Sequence, residues 1–313
     1  MTMIQAANIQ EAYEYIKGNC AALRRSIFEY HFLGGSSNAV FDKLRAYQNK
    51  DGGFGHGLEP DFMLPESSPM ATTIAFQIMN ELDTVDQDMI SKAIRYYDAT
   101  FDKKRNGWWS VPKAVNDHPH APWWNYDSTT GQTIIDNHWG NPSAEILGQL
   151  YTWRDCSVLD INDLMEFAIR HIDNLTEFVS PHELYCYIRT FPTLPKSWRK
   201  KLKGPISEGI RALMCLNEEQ WNTYVPKPFD FIQSRAHPLF HLIENHSEQH
   251  CDYLTKTIQS GLWSPTWTWG GYEEDWKKSE KEWTAILTTR NLRILRECNR
   301  IQGYVDPEEN ERR

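Results

Sequence analysis

The sequence predicts an all-α fold carried in a single domain. Three observations lead there. Apolar residues recur at one-turn spacing in about eleven or twelve stretches. Val-Ile-Thr alternation of the kind that marks strands is nearly absent. Glycine-aromatic turns punctuate the helical stretches, and no linker composition divides them. At 313 residues the chain can bury a large core.

Taken in order, 4–32 reads as helix with a break near Gly18, since Ala12, Tyr15, Ile16, Leu23, Ile27 and Tyr30 follow the helical period. Gly34-Gly35-Ser36-Ser37 breaks the chain, and Ser37 is the expected cap of a short helix over 38–48. Helices follow over 68–82 and 86–101. A long irregular segment runs from Asn106 to about Pro142, a length that inside a compact domain points to function. Helices are then expected over 143–153, 159–175, 182–191 and 197–216, the last weakened near its start by Pro205. The stretches 235–244 and 247–260 read as a helix pair limited by Pro238, and 280–300 as the last strong helix. Residues 1–301 form the expected domain, and 302–313 a polar, frayed tail.

Composition narrows the function classes. A net charge of −9 argues against a nucleic-acid binder, which needs a basic face. The basic run 196–203 reads as a solvated helix start. Six cysteines stand singly, without a CxxC, which fits a reducing cytoplasm. Neither a signal peptide nor an integral membrane segment is expected. The 13 Trp, 14 Tyr and 13 Phe exceed what a core usually needs, so rings either line a cavity or pack between helices.

The stretch Gln48-Asn49-Lys50-Asp51-Gly52-Gly53-Phe54-Gly55 leads into the helix start Ser68-Pro69-Met70-Ala71-Thr72-Thr73. Gly107-Trp108-Trp109 leads in the same way into Asn141-Pro142-Ser143-Ala144-Glu145. Gly261-Leu262-Trp263 leads into Glu282-Trp283-Thr284-Ala285. Each is a glycine-aromatic turn, a loop, and a helix start built from small residues.

The first of these runs resembles the Gln-X-X-Asp-Gly-Gly-Phe/Trp-Gly repeat of prenyltransferase β-subunits and squalene-hopene cyclases. The resemblance is good for the first and third copies, loose for the second, and bears directly on about half the chain. It implies an α/α toroid of six inner and six outer helices around a central cavity, and the helix count agrees. It also implies an enzyme acting on a small or oligomeric molecule, prenyl or terpenoid-like. The families' best-known chemistry is not carried over. No Asp-X-Asp-Asp acid motif occurs, nor an Asp-X-Cys zinc pair, nor Asp-Asp-X-X-Asp.

Several side chains are candidates for chemistry. His56, Glu59 and Asp61 place an imidazole beside two carboxylates. Such a set suits general acid/base work if burial raises one pKa, or the holding of Mg²⁺. Asp127 and Asp136 are further acids in the Trp-rich loop, and Glu145 is catalytic if it faces a cavity or a first-turn acid if it does not. Asn141 reads as the cap of that helix with Pro142 at its first position. Trp109, Trp123, Trp124, Trp139, Trp267 and Trp269, with His120, are the expected substrate wall, since indole faces stack on sugars and stabilise carbocations. No metal ligands are assigned. The His118-Pro119-His120 arm has no cysteine nearby, so zinc is not expected. His237, His241, His246 and His250 read as surface histidines, and Glu274 or Asp275 as partners of Arg290 or Arg293.

Two other readings stand beside the terpenoid one. A carbohydrate-active toroid would flank a glycosidic bond with two carboxylates. A non-catalytic toroid would bind a ligand or protein with the same loops. Substrate and oligomeric state are not written in the sequence.

Overall fold

The computed structural model describes residues 2–307. The all-α class holds: the described residues form twelve α-helices and one pair of two-residue parallel strands, β1 (Ile4–Gln5) and β2 (Ile301–Gln302). No helix among them is long and apolar enough to cross a membrane. The chain forms two compact units, one of Met1–Arg45 with Cys215–Arg313, the other Ala46–Met214.

The first unit holds α1 (Ala7–Asn19), α2 (Ala22–Phe32), α3 (Ser37–Leu44), α10 (Pro228–Phe231), α11 (Glu244–Thr257) and α12 (Glu273–Glu297). The expected break near Gly18 falls at Cys20 and Ala21, where Glu282 of α12 accepts the Ala21 N–H at 2.7 Å and pairs with Arg24 at 3.1 Å. Ser36, not Ser37, caps α3 by accepting the Ala39 N–H. The expected helix over 235–244 does not form. Pro238 withholds a donor there, and only a single 3-10 turn, Phe240–Leu242, is made. In contrast, α12 starts earlier than expected, with Glu273, Glu274 and Asp275 in a first turn that favours acids. The tail begins bound rather than frayed. Gln302 lies in β2, its carbonyl accepts the Ala6 N–H, and Arg300, 1% exposed, pairs with Glu248 and Asp252 of α11. Residues 308–313 of that expected tail lie outside the described residues.

The second unit holds α4 (Pro69–Met79), α5 (Gln87–Thr100), α6 (Gly140–Thr152), α7 (Ile161–Asp173), α8 (Pro181–Thr190) and α9 (Lys196–Leu213). Ser68, Asp86, Asp160 and Ser180 cap four of them by accepting first-turn N–H groups. The helix α9 runs through Pro205. Helix α6 is buried on all sides from Gly140 to Leu150, as a helix at the centre of a packed unit must be, and packs against α4, α7 and α8. Asn141 is extended, as a residue before a helix should be, but its side chain caps nothing. It is joined to Pro142 by a cis peptide bond.

The three glycine-aromatic turns are structurally alike. In each, the backbone N–H of the aromatic residue donates to a hydroxyl on the helix that follows: Phe54 to Thr72 at 3.0 Å, Trp108 to Ser143 at 3.0 Å, Trp263 to Thr288 at 3.1 Å. The third partner stands one helical turn beyond the expected Thr284. Each turn also closes with an antiparallel bridge, Gln48 with Phe54, Asp102 with Gly107, and Gln259 with Leu262. Glycine is required by contact. A Cβ on Gly53 would lie 2.6 Å from that of Ser67, and one on Gly107 would lie 2.6 Å from the Ser143 hydroxyl. The recurring sequence pattern is therefore a recurring way of docking a turn onto a helix.

Candidate functional site

Within the second unit, the loop after Gly55 meets the Trp-rich loop edge to edge. Phe62 pairs antiparallel with His120, Ala121 donates its N–H to the Asp61 carbonyl at 2.8 Å, and Met63 donates to the Pro119 carbonyl at 2.8 Å. This short ladder spends backbone donors that a loop would otherwise leave to water. It also buries four of the expected site residues together: Glu59, Asp61, His120 and Trp124, at 6%, 5%, 7% and 5% exposure. Trp124 stands edge-on to Phe62 with ring centres 5.1 Å apart. Trp123 is half-buried beside it in the 3-10 turn Pro122–Trp124.

Glu59 Oε1 accepts the Asp61 N–H at 3.2 Å. His120 Nδ1 lies 2.7 Å from the His118 carbonyl, an acceptor, and so carries a proton. The Trp124 indole N–H is buried without a hydrogen-bond acceptor among the described residues. The arrangement sets two buried carboxyl groups, an imidazole and the unspent indole donor of Trp124 along one ladder. Those are the parts of a proton-transfer site.

The other expected residues lie elsewhere. His56 is exposed, with a left-handed backbone at φ 56°, and its Nε2 lies 2.9 Å from Asn49 Oδ1. Asn49 in turn donates to Pro65 and Ser67, so His56 braces the loop. Asp127 is exposed in a turn, where the Thr129 N–H donates to its carboxylate at 2.7 Å and holds its pKa below the usual range. It stays ionised at neutral pH, which suits a turn and not a proton donor. Asp136 is buried and fully engaged, accepting from Ser110 N–H and from the Thr133 N–H and hydroxyl.

Trp109 donates to Asp102 at 3.0 Å and carries the Arg105 guanidinium 4.3 Å from its ring centre, so its face is already occupied. Trp139 donates to the Arg105 carbonyl and packs against Phe167 and His171. Trp267 and Trp269 belong to the first unit, where Trp267 meets Tyr224 and Trp283, and Trp269 meets Trp276. Glu274 and Asp275 pair with Lys277 and Lys278 one turn on, not with Arg290 or Arg293. Of the four histidines expected at the surface, His250 is buried. Burial pushes its pKa down to about 3 and Asp230 only partly opposes this, so the ring is neutral and its Nδ1 accepts the Phe229 N–H at 3.1 Å.

Glu145 is buried in α6 and joins three helices. Gln77 of α4 donates to Oε1 at 2.9 Å and Arg189 of α8 donates to Oε2 at 2.7 Å. Desolvation, limited by the 38% exposure of the Arg189 side chain, opposes its charge, but Glu145 outweighs it and the guanidinium is held more firmly protonated than a free one.

A second polar cluster was not foreseen. Glu183, in the first turn of α8, accepts from the Gly140 N–H at 2.6 Å and sits 2.9 Å from His171 Nε2, with His138 Nδ1 at 3.9 Å from its other oxygen. Leu175, Phe178, Glu183 and Tyr187 border a hollow of about 10 Å³, room for roughly one water. One signal was available in the sequence: Ser180-Pro181 opens α8 as Ser68-Pro69 opens α4 and Asn141-Pro142 opens α6. Among the described residues, no group of three His, Cys, Asp or Glu is placed to hold a metal ion.

Comparison with family models, curated proteins and solved structures finds no match to this chain.

Proposed function

We propose that the chain is a cytoplasmic enzyme of the terpenoid cyclase/prenyltransferase-like α/α toroid type, acting on a small or oligomeric isoprenoid-like molecule by proton transfer. The observation that carries this is the burial of Glu59, Asp61, His120 and Trp124 along one ladder. In this reading Glu59 or Asp61 is the proton donor. His120 is the matching base in this reading, brought in by the second loop. Trp124 offers its unspent N–H to a substrate oxygen and, with Trp123, its ring to an apolar chain. Glu145, held between Gln77 and Arg189, acts in this reading as a positioning residue that ties α4, α6 and α8 together. The repeated docking of a glycine-aromatic turn onto a helix hydroxyl supports the toroid part of the reading.

The test is a conversion assay. Purified protein is incubated with squalene, farnesyl diphosphate and geranylgeranyl diphosphate, with and without Mg²⁺, and in parallel with cello- and malto-oligosaccharides. Products are read by mass spectrometry. The expected result is turnover of an isoprenoid that falls by about 10²–10⁴-fold in Glu59→Gln or Asp61→Asn, the usual worth of one acid/base group. Circular dichroism checks that both variants stay folded. No isoprenoid turnover, or turnover equal in both folded variants, overturns the proposal. Turnover of an oligosaccharide instead moves the same residues to glycan chemistry.

A further inference from the structure

The basic run 196–203 forms the first two turns of α9, and the helix sorts its charges by side. Lys196, Arg199, Lys200 and Lys203 stand at i, i+3, i+4 and i+7, so they share one side over about 10 Å of axis. The three lysines are exposed and Arg199 is half-buried, its Nε enclosed without a hydrogen-bond partner. None of the four makes an ion pair among the described residues. The remaining cation of the run, Lys201, points off this side and is spent on Glu166 of α7 at 2.7 Å. Trp198 and Leu202 lie on another side of the same turns and are buried, which fixes α9 against α7 and α8 and leaves the four cations outward. No acid occurs between Lys196 and Lys203. The result is an unneutralised basic stripe on a chain whose net charge is −9.

We propose that this side of α9 is a peripheral docking surface for a bilayer rich in anionic lipid, such as phosphatidylserine. Charge complementarity selects an anionic partner, since like charges at these spacings repel and an anionic layer laid along them removes the repulsion. Shape selects a flat one. The stripe is the outward ridge of a packed helix, and a plane of headgroups meets all four cations where a peptide would need groove walls. The residue type agrees. Three of the four are lysines, hydrated point charges that ask for no fixed geometry, whereas a single held phosphate or carboxylate favours arginine forks. No aromatic residue shares the stripe, so nothing on it stacks the bases of a single-stranded nucleic acid. The acidity of the whole chain does not cancel the attraction, because the Debye length is about 10 Å in about 0.1 M salt and charges at the contact dominate. The contact is peripheral and needs no membrane-crossing helix. It stands apart from the proposed isoprenoid chemistry, since none of the four cations belongs to the ladder of Phe62 and His120.

The experiment is co-sedimentation of the whole protein with vesicles of phosphatidylcholine, alone or mixed with phosphatidylserine. The expected result is binding to the mixed vesicles in about 0.1 M salt, loss of binding in about 1 M salt, and none to phosphatidylcholine alone. A variant combining Lys196→Gln, Lys200→Gln and Lys203→Gln should bind about 100-fold more weakly, at roughly fivefold for each cation removed. The control combines Lys277→Gln, Lys278→Gln and Lys281→Gln, the same change of charge at exposed lysines of α12, and should keep most of the binding. All six replaced side chains are exposed, and circular dichroism confirms that both variants are folded. Failure to bind the mixed vesicles, equal binding to phosphatidylcholine alone, or equal loss in the two variants overturns the proposal. So does displacement from the vesicles by polyglutamate or duplex DNA at concentrations where matched salt has no effect, which would assign the stripe to a different partner.

Discussion

Gly52→Ala tests whether the glycine-rich turn is a packing device. Two costs follow from the structure. Gly52 has φ +94°, where an L side chain is strained, at about 1–3 kcal/mol. The added Cβ would also lie 2.2 Å from the Lys92 carbonyl oxygen and 2.7 Å from its carbon. Those atoms are backbone of α5, which is fixed against the turn by the bond from Gln48 to the Met89 carbonyl at 2.9 Å, so neither side yields cheaply. Overpacking of this kind costs about 1–3 kcal/mol more. The sum is a loss of roughly 2–6 kcal/mol, or about 4–24 °C in melting temperature at 2–4 °C per kcal/mol. Gly18→Ala is the internal control. It makes the same chemical change in α1, where nothing lies within 4 Å of the new Cβ. It should be neutral or stabilising by up to about 1 kcal/mol, less near a helix end. Thermal unfolding followed by circular dichroism reads both. Similar small shifts in the two variants would refute the steric account of the turn.

Thr72→Val, Ser143→Ala and Thr288→Val each orphan the buried N–H of Phe54, Trp108 or Trp263, so each should cost about 1–3 kcal/mol in chemical denaturation, with Thr72→Ser close to neutral. Arg189→Met strands the buried Glu145 carboxylate; because the Arg189 side chain is 38% exposed, a loss of roughly 1–3 kcal/mol is expected rather than the 3–5 of a fully buried pair, and Glu145→Gln should cost less, since an amide oxygen still accepts. His250 has a folded pKa of about 3 against about 6.5 unfolded. The unfolded chain therefore takes the extra proton, and stability falls as pH drops through that window by up to about 1.4 kcal/mol per unit. Urea midpoints between pH 7 and pH 5 should slope less in His250→Gln, and an unchanged slope would refute the assignment.

What could be read from the sequence followed from how local each cause is. Helix existence rests on spacing within one stretch, so α4, α5, α7 and α8 could be placed within about three residues. The glycine turns were legible because steric demand leaves a residue type behind. The partners of the acids were not, because they are distant in the chain. Glu145 is satisfied by Gln77 and Arg189, and His171 by Glu183 across the α7–α8 connection. The ladder that gathers Glu59, Asp61, His120 and Trp124 depends on pairing Phe62 with His120, two residues in irregular stretches with no strand pattern between them. His250 looked like a surface residue beside His246 and His241, since nothing in the neighbouring letters shows that Trp221, Phe229 and Tyr253 enclose it.

The three turns also separate scaffold from chemistry. Their glycines are consumed by contact, and Thr72, Ser143 and Thr288 are consumed by the N–H groups they accept. Residues shared by all three copies are therefore not free to act on a substrate. The proposed function therefore rests on residues in which the copies differ. The third copy differs by acids that are exposed and paired with lysines one turn away, an arrangement of a solvated helix start. The second differs by Asp136, whose carboxylate already accepts three hydrogen bonds, and by Asp127, held ionised in an exposed turn. The first copy adds Glu59 and Asp61, and the ladder brings it His120 and Trp124 from the second. The bond from the Phe54 N–H to Thr72 completes the turn without them. The proposed function therefore rests on Glu59 and Asp61.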